Sequence, residues 1–140
     1  MNNKIYFHTE CDYSLDNNIS IVKMIEITFK VENKNFEIIN IIFCGDEDLL
    51  KKNITYLKHK TYTDIITFNY SKNNIVSGDL YISVERVKEN ASTYKVNFIE
   101  ELRRVIIHGI LHLIGYNDKT EEEKILIRKK EDFYLSLHCN

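Results

Sequence analysis

His108, His112 and Asp118 are the residues of this chain whose types and spacing best suit chemistry. After Arg104 the sequence reads Val-Ile-Ile-His-Gly-Ile-Leu-His-Leu-Ile, so two histidines interrupt an otherwise apolar run. On a helix, side chains four apart have Cβ atoms roughly 5–6 Å from each other. Both imidazoles can then reach one ion at about 2.0–2.1 Å. Gly115 stands where a left-handed helix stop is favoured. Tyr116-Asn-Asp-Lys119 turns the chain there, and Asp118 can fold back over the last helical turn. His-x3-His-x5-Asp supplies two neutral nitrogens and a carboxylate and leaves a coordination position open, the mark of a catalytic rather than structural zinc site. Spacing alone also admits a pair of satisfied core histidines, or the solvent-facing edge of an amphipathic helix. Gly109 excludes one chemistry: the zinc-peptidase motif needs a Glu directly after the first His as general base.

The element that must carry these histidines is a long helix. Asn97-Phe-Ile-Glu100 resembles a capping box and opens a helix expected to run to about Ile114. Steps of three and four join Asn97, Glu101, Arg104, His108, His112 and Gly115 into one polar stripe on a helix that is otherwise apolar nearly all round, and is therefore buried. Arg104, one turn before His108, is a candidate phosphate contact; pairing with Glu101 is the competing role and the slightly favoured one. Gly109 costs about 1 kcal/mol of helix propensity relative to Ala, which a tight backbone approach at the site would explain.

Around this helix the pattern predicts strands at Lys4–His8, Phe36–Cys44, Ile65–Tyr70 and Val76–Val84, the last two joined as a hairpin through Ser71–Asn74. A helix with Ile19, Val22, Ile25 or Glu26, and Phe29 on one face is expected after the caps at 16–18. A short one begins with Asp46 as N-cap and turns Leu49, Leu50 and Ile54 inward. Glu85–Lys95 reads as helix and loop. Thr120-Glu-Glu-Glu123 is a second capping box and opens a last helix whose apolar positions include Ile125, Leu126, Phe133 and Leu137. The expected fold class is α+β: a small mixed sheet packed with four to five helices, residues 1–140 forming one domain, the metal site at the end of the long buried helix.

Composition narrows the function classes. With 140 residues and 44% hydrophobic content the chain can bury a core without staples. No apolar run approaches the roughly 20 residues of a membrane span. Cys11, Cys44 and Cys139 form no CxxC pair, so neither a disulfide framework nor a cysteine zinc cluster is indicated, and a cytoplasmic setting is expected. The net charge of −2 announces no general nucleic-acid binder. Local basic groups, Lys51 and Lys52 and then Lys58, His59 and Lys60, are discounted in a chain so rich in Lys, Ile, Asn and Tyr.

His108-Gly-Ile-Leu-His-Leu-Ile-Gly-Tyr116 resembles the signature of the YbeY-type rRNA maturation factors, metal-dependent single-strand endoribonucleases. Thr63-Asp-Ile-Ile-Thr-Phe68 is similar to that family's Thr-Asp-Val-Leu-Ser-Phe strand, and Gly78-Asp-Leu-Tyr-Ile-Ser83 to its Gly-Asp-Ile-x-Ile-Ser strand. The resemblance implies one Zn²⁺ per chain on the motif ligands, single-stranded RNA bound in a cleft across the sheet, and maturation of ribosomal RNA at the 16S 3′ end and ribosome quality control with the small ribosomal subunit as partner. It implies no membrane and no DNA.

Two positions depart from the family. Its usual ending, Gly-Tyr-Asp-His, places a His where Asp118 stands. Asp is a competent zinc ligand, so the site is altered rather than lost, its ligand set one charge less positive. Just before the Thr-Asp strand, many members carry a Tyr-Arg pair whose Arg is associated with cleavage; here it is Tyr56-Leu57. Lys58 or His59 could cover part of that role, although a lysine does not reproduce a guanidinium's bidentate phosphate contact. Asp64 and Asp79, in the two strand motifs, could orient a ligand histidine or simply cap turns, and no general base is assignable. Three rivals stay open at this point: a ribosome-assembly factor with a structural metal and little catalysis, a non-haem iron enzyme, and a metal-free binding domain.

Overall fold

A computed structural model of the chain describes residues 3–58 and 61–137. His59, Lys60 and Cys139 lie outside the described residues. Four strands, β1 (Lys4–Thr9), β2 (Asn35–Cys44), β3 (Ile65–Asn69) and β4 (Ile75–Ser83), form one sheet in the order β1-β2-β4-β3. β1, β2 and β4 run parallel, while β3 pairs antiparallel with β4, Phe68 opposite Asp79. The β3–β4 hairpin turns through Asn73 and Asn74, both left-handed at φ 53° and 64°, a conformation asparagine tolerates better than most residues. The mixed α+β architecture matches the sequence reading.

The helices are α1 (Ile19–Val31), α2 (Asp46–Lys52, continued by a π-helical turn at Asn53–Leu57), α3 (Val84–Tyr94), α4 (Phe98–Ile114) and α5 (Glu121–Ser136). α1 and α4 cover one sheet face, and the main core joins Met24, Ile25 and Phe29 of α1 with Ile39, Ile41 and Phe43 of β2 and Leu102, Ile106 and Ile110 of α4. Each such fully buried side chain contributes about 1.5–3 kcal/mol relative to exposure. A smaller cluster of Cys44, Leu49 and Ile66 seats α2 against the opposite face. There burial pushes the Cys44 thiol up to about 12, so it packs as an inert apolar group.

Several local expectations need correction. In α1 Ile25 and Phe29 face inward as expected, but together with Ile21, Met24 and Thr28, whereas Ile19 is 61% exposed and Val22 only partly buried; the inward face is turned aside from a stripe started at Ile19. Gly45, not Asp46, caps α2, because Asp46 receives Arg86 at 2.8 Å and the Ser83 hydroxyl at 3.0 Å. Of its predicted inward residues Leu49 is buried, Leu50 only partly, and Ile54 faces out from the π turn. β4 stops at Ser83, whose hydroxyl caps α3 by accepting the Arg86 N–H at 3.1 Å; Val84 therefore belongs to the helix.

The face of α5 is also different. Ile125, Leu126, Phe133 and Leu137 are all more than 40% exposed, and the buried stripe is Ile127, Glu131 and Tyr134. A carboxylate in the middle of that stripe carries α5 to the functional site.

Candidate metal centre

Two caps and two glycines hold α4 in place. The Asn97 side chain accepts the Glu100 N–H at 2.9 Å, and Gly115, at φ 126°, lets its N–H close back on Leu111 and His112. A Cβ at Gly109 would lie 2.6 Å from Ile65 Cδ1 and 2.8 Å from Leu80 Cδ2; one at Gly78 would lie 2.6 Å from the Phe68 carbonyl and 2.7 Å from Leu113 Cδ2. The close approach at Gly109 is thus of α4 to strands β3 and β4, not of backbone to a ligand. It presses one side of α4 onto the sheet and leaves the His108–His112 side to face α5 and the loop at 116–118.

On that side three donors converge. His108 Nε2 and His112 Nε2 lie 2.9 Å apart, and each is 3.3 Å from Asp118 Oδ2. The imidazole planes stand at 77° to one another. All three side chains are partly exposed, at 26%, 24% and 40%. The outer ring nitrogens are committed: His108 Nδ1 is 2.6 Å from Glu131 Oε2, and His112 Nδ1 is 2.9 Å from the Tyr116 carbonyl. Facing acceptors, both Nδ1 atoms carry the proton of the neutral ring, and both Nε2 atoms turn bare lone pairs toward the Asp118 oxygen. Three lone-pair donors facing one another call for a shared cation. Tetrahedral zinc with ligands at about 2.0–2.1 Å has ligand–ligand edges of roughly 3.3 Å, so the residues present fit the ion. Burial works against charge on His108, but the Glu131 hydrogen bond and the nearby carboxylates outweigh it, and its pKa is raised.

The surrounding residues differ from those the sequence suggested. Arg104 does not pair with Glu101; its guanidinium donates to Glu131 Oε1 at 3.0 Å and to Asp132 Oδ1 at 2.8 Å. Both its ion-pairing arms are engaged, which leaves it poorly placed as a phosphate clamp. Asp79 is tied to Asn40 at 3.1 Å and Tyr70 at 3.2 Å, and Asp64 to Asn90 at 3.3 Å. Neither orients a ligand histidine. That task falls to Glu131 and the Tyr116 carbonyl, which sequence reasoning missed. The available signal was the Ile127–Glu131–Tyr134 spacing, which sets an acid in the inward register of α5. Tyr116 is itself anchored, its hydroxyl donating to Glu32 at 2.6 Å, and Glu32 also accepts from Tyr134 and Lys130.

A cavity of about 290 Å³ opens beside the donors, among α3, α4, α5 and the start of β3 rather than across the sheet. Leu57, at the position of the family arginine, is 43% exposed. No helix among the described residues is long and apolar enough to cross a membrane.

An α+β fold with a convergent His, His, Asp set at the end of its buried helix defines a class of proteins with a site that could hold a metal ion. The comparisons narrow it: a family model described as Endoribonuclease YbeY matches residues 8–138, and the chain belongs to that family. Among similar proteins bearing that name, the one from Flavobacterium johnsoniae is 48% identical over 133 residues, covering 95% of this chain and 96% of that protein. The one from Christiangramia forsetii is 48% identical over 134 residues, covering 96% and 94%. The solution structure of TM1509 from Thermotoga maritima superposes with a TM-score of 0.69 at 26% identity, covering 95% of this chain and 87% of that one.

Proposed function

We propose that residues 1–140 act as one domain, an endoribonuclease that hydrolyses single-stranded RNA at a zinc ion held by His108, His112 and Asp118. The observation that carries this reading is the convergence of the two bare Nε2 atoms on Asp118 Oδ2, with both Nδ1 atoms fixed by acceptors. Bound there, zinc supplies Lewis-acid polarisation of a phosphodiester oxygen and a nucleophile at neutral pH. His108 and His112 bind from rigid positions on α4. Asp118, on the loop, completes the set and leaves the solvent side open to substrate. Glu131 keeps the His108 proton on Nδ1. Family membership supports ribosomal RNA of the small subunit as the substrate and the cytoplasm as the setting.

The test is cleavage of an unstructured RNA by purified, zinc-loaded protein, with metal content measured alongside. His112→Ala should lose both the metal equivalent and the cleavage while keeping a cooperative thermal transition. Full activity in that variant removes the metal from the mechanism.

A further inference from the structure

Glu32, the residue that closes α1, is a carboxylate with 8% of its side chain accessible and three donors around it. Tyr116 donates its hydroxyl to Oε1 at 2.6 Å, while Lys130, at 3.2 Å, and Tyr134 both donate to Oε2. Lys130 and Tyr134 belong to α5 and dock it on α1. Tyr116 does not: it lies in the irregular stretch between Gly115, where α4 ends, and Thr120, which caps α5. That stretch governs two of the three donors. The Tyr116 carbonyl stands 2.9 Å from His112 Nδ1, and Asp118 follows two residues later. His108 and His112 are placed by the helix they share; Asp118 is not, and its side chain is 40% exposed. The far end of the stretch is tied to Glu123, through the Lys119 N–H at 3.2 Å and the Asn117 side chain. The near end is tied by Tyr116. Its N–H donates to the Leu111 carbonyl at 3.0 Å, its ring packs against the main core, and its hydroxyl ends on a carboxylate 84 residues earlier. Hydroxyl bonds to an ionised carboxylate run to about 2.5–2.7 Å and are roughly twice as strong as neutral ones, so this contact is a firm anchor.

We propose that Glu32 is a positioning residue for the metal site: by gripping the Tyr116 hydroxyl it fixes the loop that aligns His112 and delivers Asp118. The inference rests on the reading of His108, His112 and Asp118 as zinc ligands and deepens it. Glu131 aligns His108 from α5; Glu32 serves the opposite side of the centre from α1, and it acts through Tyr116 rather than on a donor. A ligand on a free loop must give up its freedom when the ion binds, whereas one already held in place does not, so the tether is read in the affinity for metal. The competing role, docking of α1 on α5, needs only the bonds to Lys130 and Tyr134. The two roles therefore separate by which tyrosine is altered.

The experiment measures the zinc affinity of the full chain by competition with a chromophoric chelator, beside thermal unfolding of the zinc-free protein. Tyr116→Phe removes the hydroxyl and keeps the ring and the carbonyl. It should weaken zinc binding about ten-fold, the lower end of what such supports around a ligand are worth. Tyr134→Phe breaks a bond to the same carboxylate without touching the loop. It should lower the unfolding temperature as Tyr116→Phe does, yet keep the zinc affinity of the wild type. Glu32→Ala cuts the tether at its other end and should cost as much zinc affinity as Tyr116→Phe. The double variant should lose no more than either single one, because both changes remove one interaction. An unchanged zinc affinity in Tyr116→Phe, an equal loss in Tyr134→Phe, or losses that add in the double variant overturn the proposal. Failure of the zinc reading shows separately, as a wild type that takes up no zinc, and overturns both.

Discussion

Glu131 Oε2 sits 2.6 Å from His108 Nδ1, and the other oxygen of the same carboxylate takes Arg104 at 3.0 Å. One acid, 5% exposed, joins His108 on α4 to a charge-compensating arginine one turn away. The arginine occupies one oxygen of the buried carboxylate, and the other oxygen accepts from His108 Nδ1, the tautomer that frees Nε2.

Glu131→Gln should therefore weaken metal binding without removing a donor. Loss of such a hydrogen-bonded support costs about 10–100-fold in metal affinity. Competition with a chromophoric chelator measures it, and an unaltered zinc affinity would show that the His108 ring is fixed by packing alone.

Asp118→His restores the family's usual third ligand and makes the ligand set one charge more positive. The pH–activity profile should move to lower pH, because a more positive centre acidifies what it binds. A profile that stays put or moves upward contradicts the assignment of Asp118 as a ligand.

Two glycines separate by what a new Cβ would meet. At Gly78 the nearest atom is the Phe68 carbonyl oxygen at 2.6 Å, part of the β3 backbone that cannot yield cheaply. Gly78→Ala should cost about 1–3 kcal/mol of overpacking strain. At Gly109 the neighbours are the ends of Ile65 and Leu80, which can rotate away, and alanine returns about 1 kcal/mol of helix propensity. Gly109→Ala should thus be much closer to neutral. Urea midpoints of the two variants provide the check.

Glu32 joins the end of α1 to α5 and to Tyr116. Burial works against its charge, yet hydrogen bonds from Tyr116, Tyr134 and Lys130 prevail and hold its pKa below the ordinary 4.5. Its contribution to stability is present above that value and is lost as pH falls through the lowered folded value. Wild type should lose stability over that acid window, and Glu32→Gln, already lacking the contribution, should lose less there. Denaturant unfolding at a series of pH values compares the two slopes.

The α4 stripe was legible because everything that shapes it is local: an Asn cap, a Gly stop, and two polar rings four apart in an apolar run. The hairpin and the Thr120 cap, whose box forms with Glu123 in both directions, were legible for the same reason. The inward face of α5 was not. Its exposed side carries Ile125, Leu126, Phe133 and Leu137, while its buried side spends a position on Glu131, so hydrophobic weighting selects the wrong side. What fixes that acid inward is His108, 23 residues earlier in the chain, and no local pattern reports a partner at that distance. Arg104 misled in the same way: Glu101 was the near carboxylate along the helix, but Glu131 and Asp132 are the near ones in space. The third donor was found from the turn chemistry around Gly115, because a loop of fixed length returns Asp118 to the helix it has just left.

All three donors fall within residues 108–118, whereas the acid that aligns the first of them comes from a helix made afterwards. During synthesis the chain thus owns all three side chains of the candidate site before it owns their geometry. At that stage the Tyr116 carbonyl can already fix the His112 ring, whereas the His108 ring has its carboxylate partner only after α5 has left the translating ribosome and docked. Docking of the last helix is then the step that completes the geometry of the one before it.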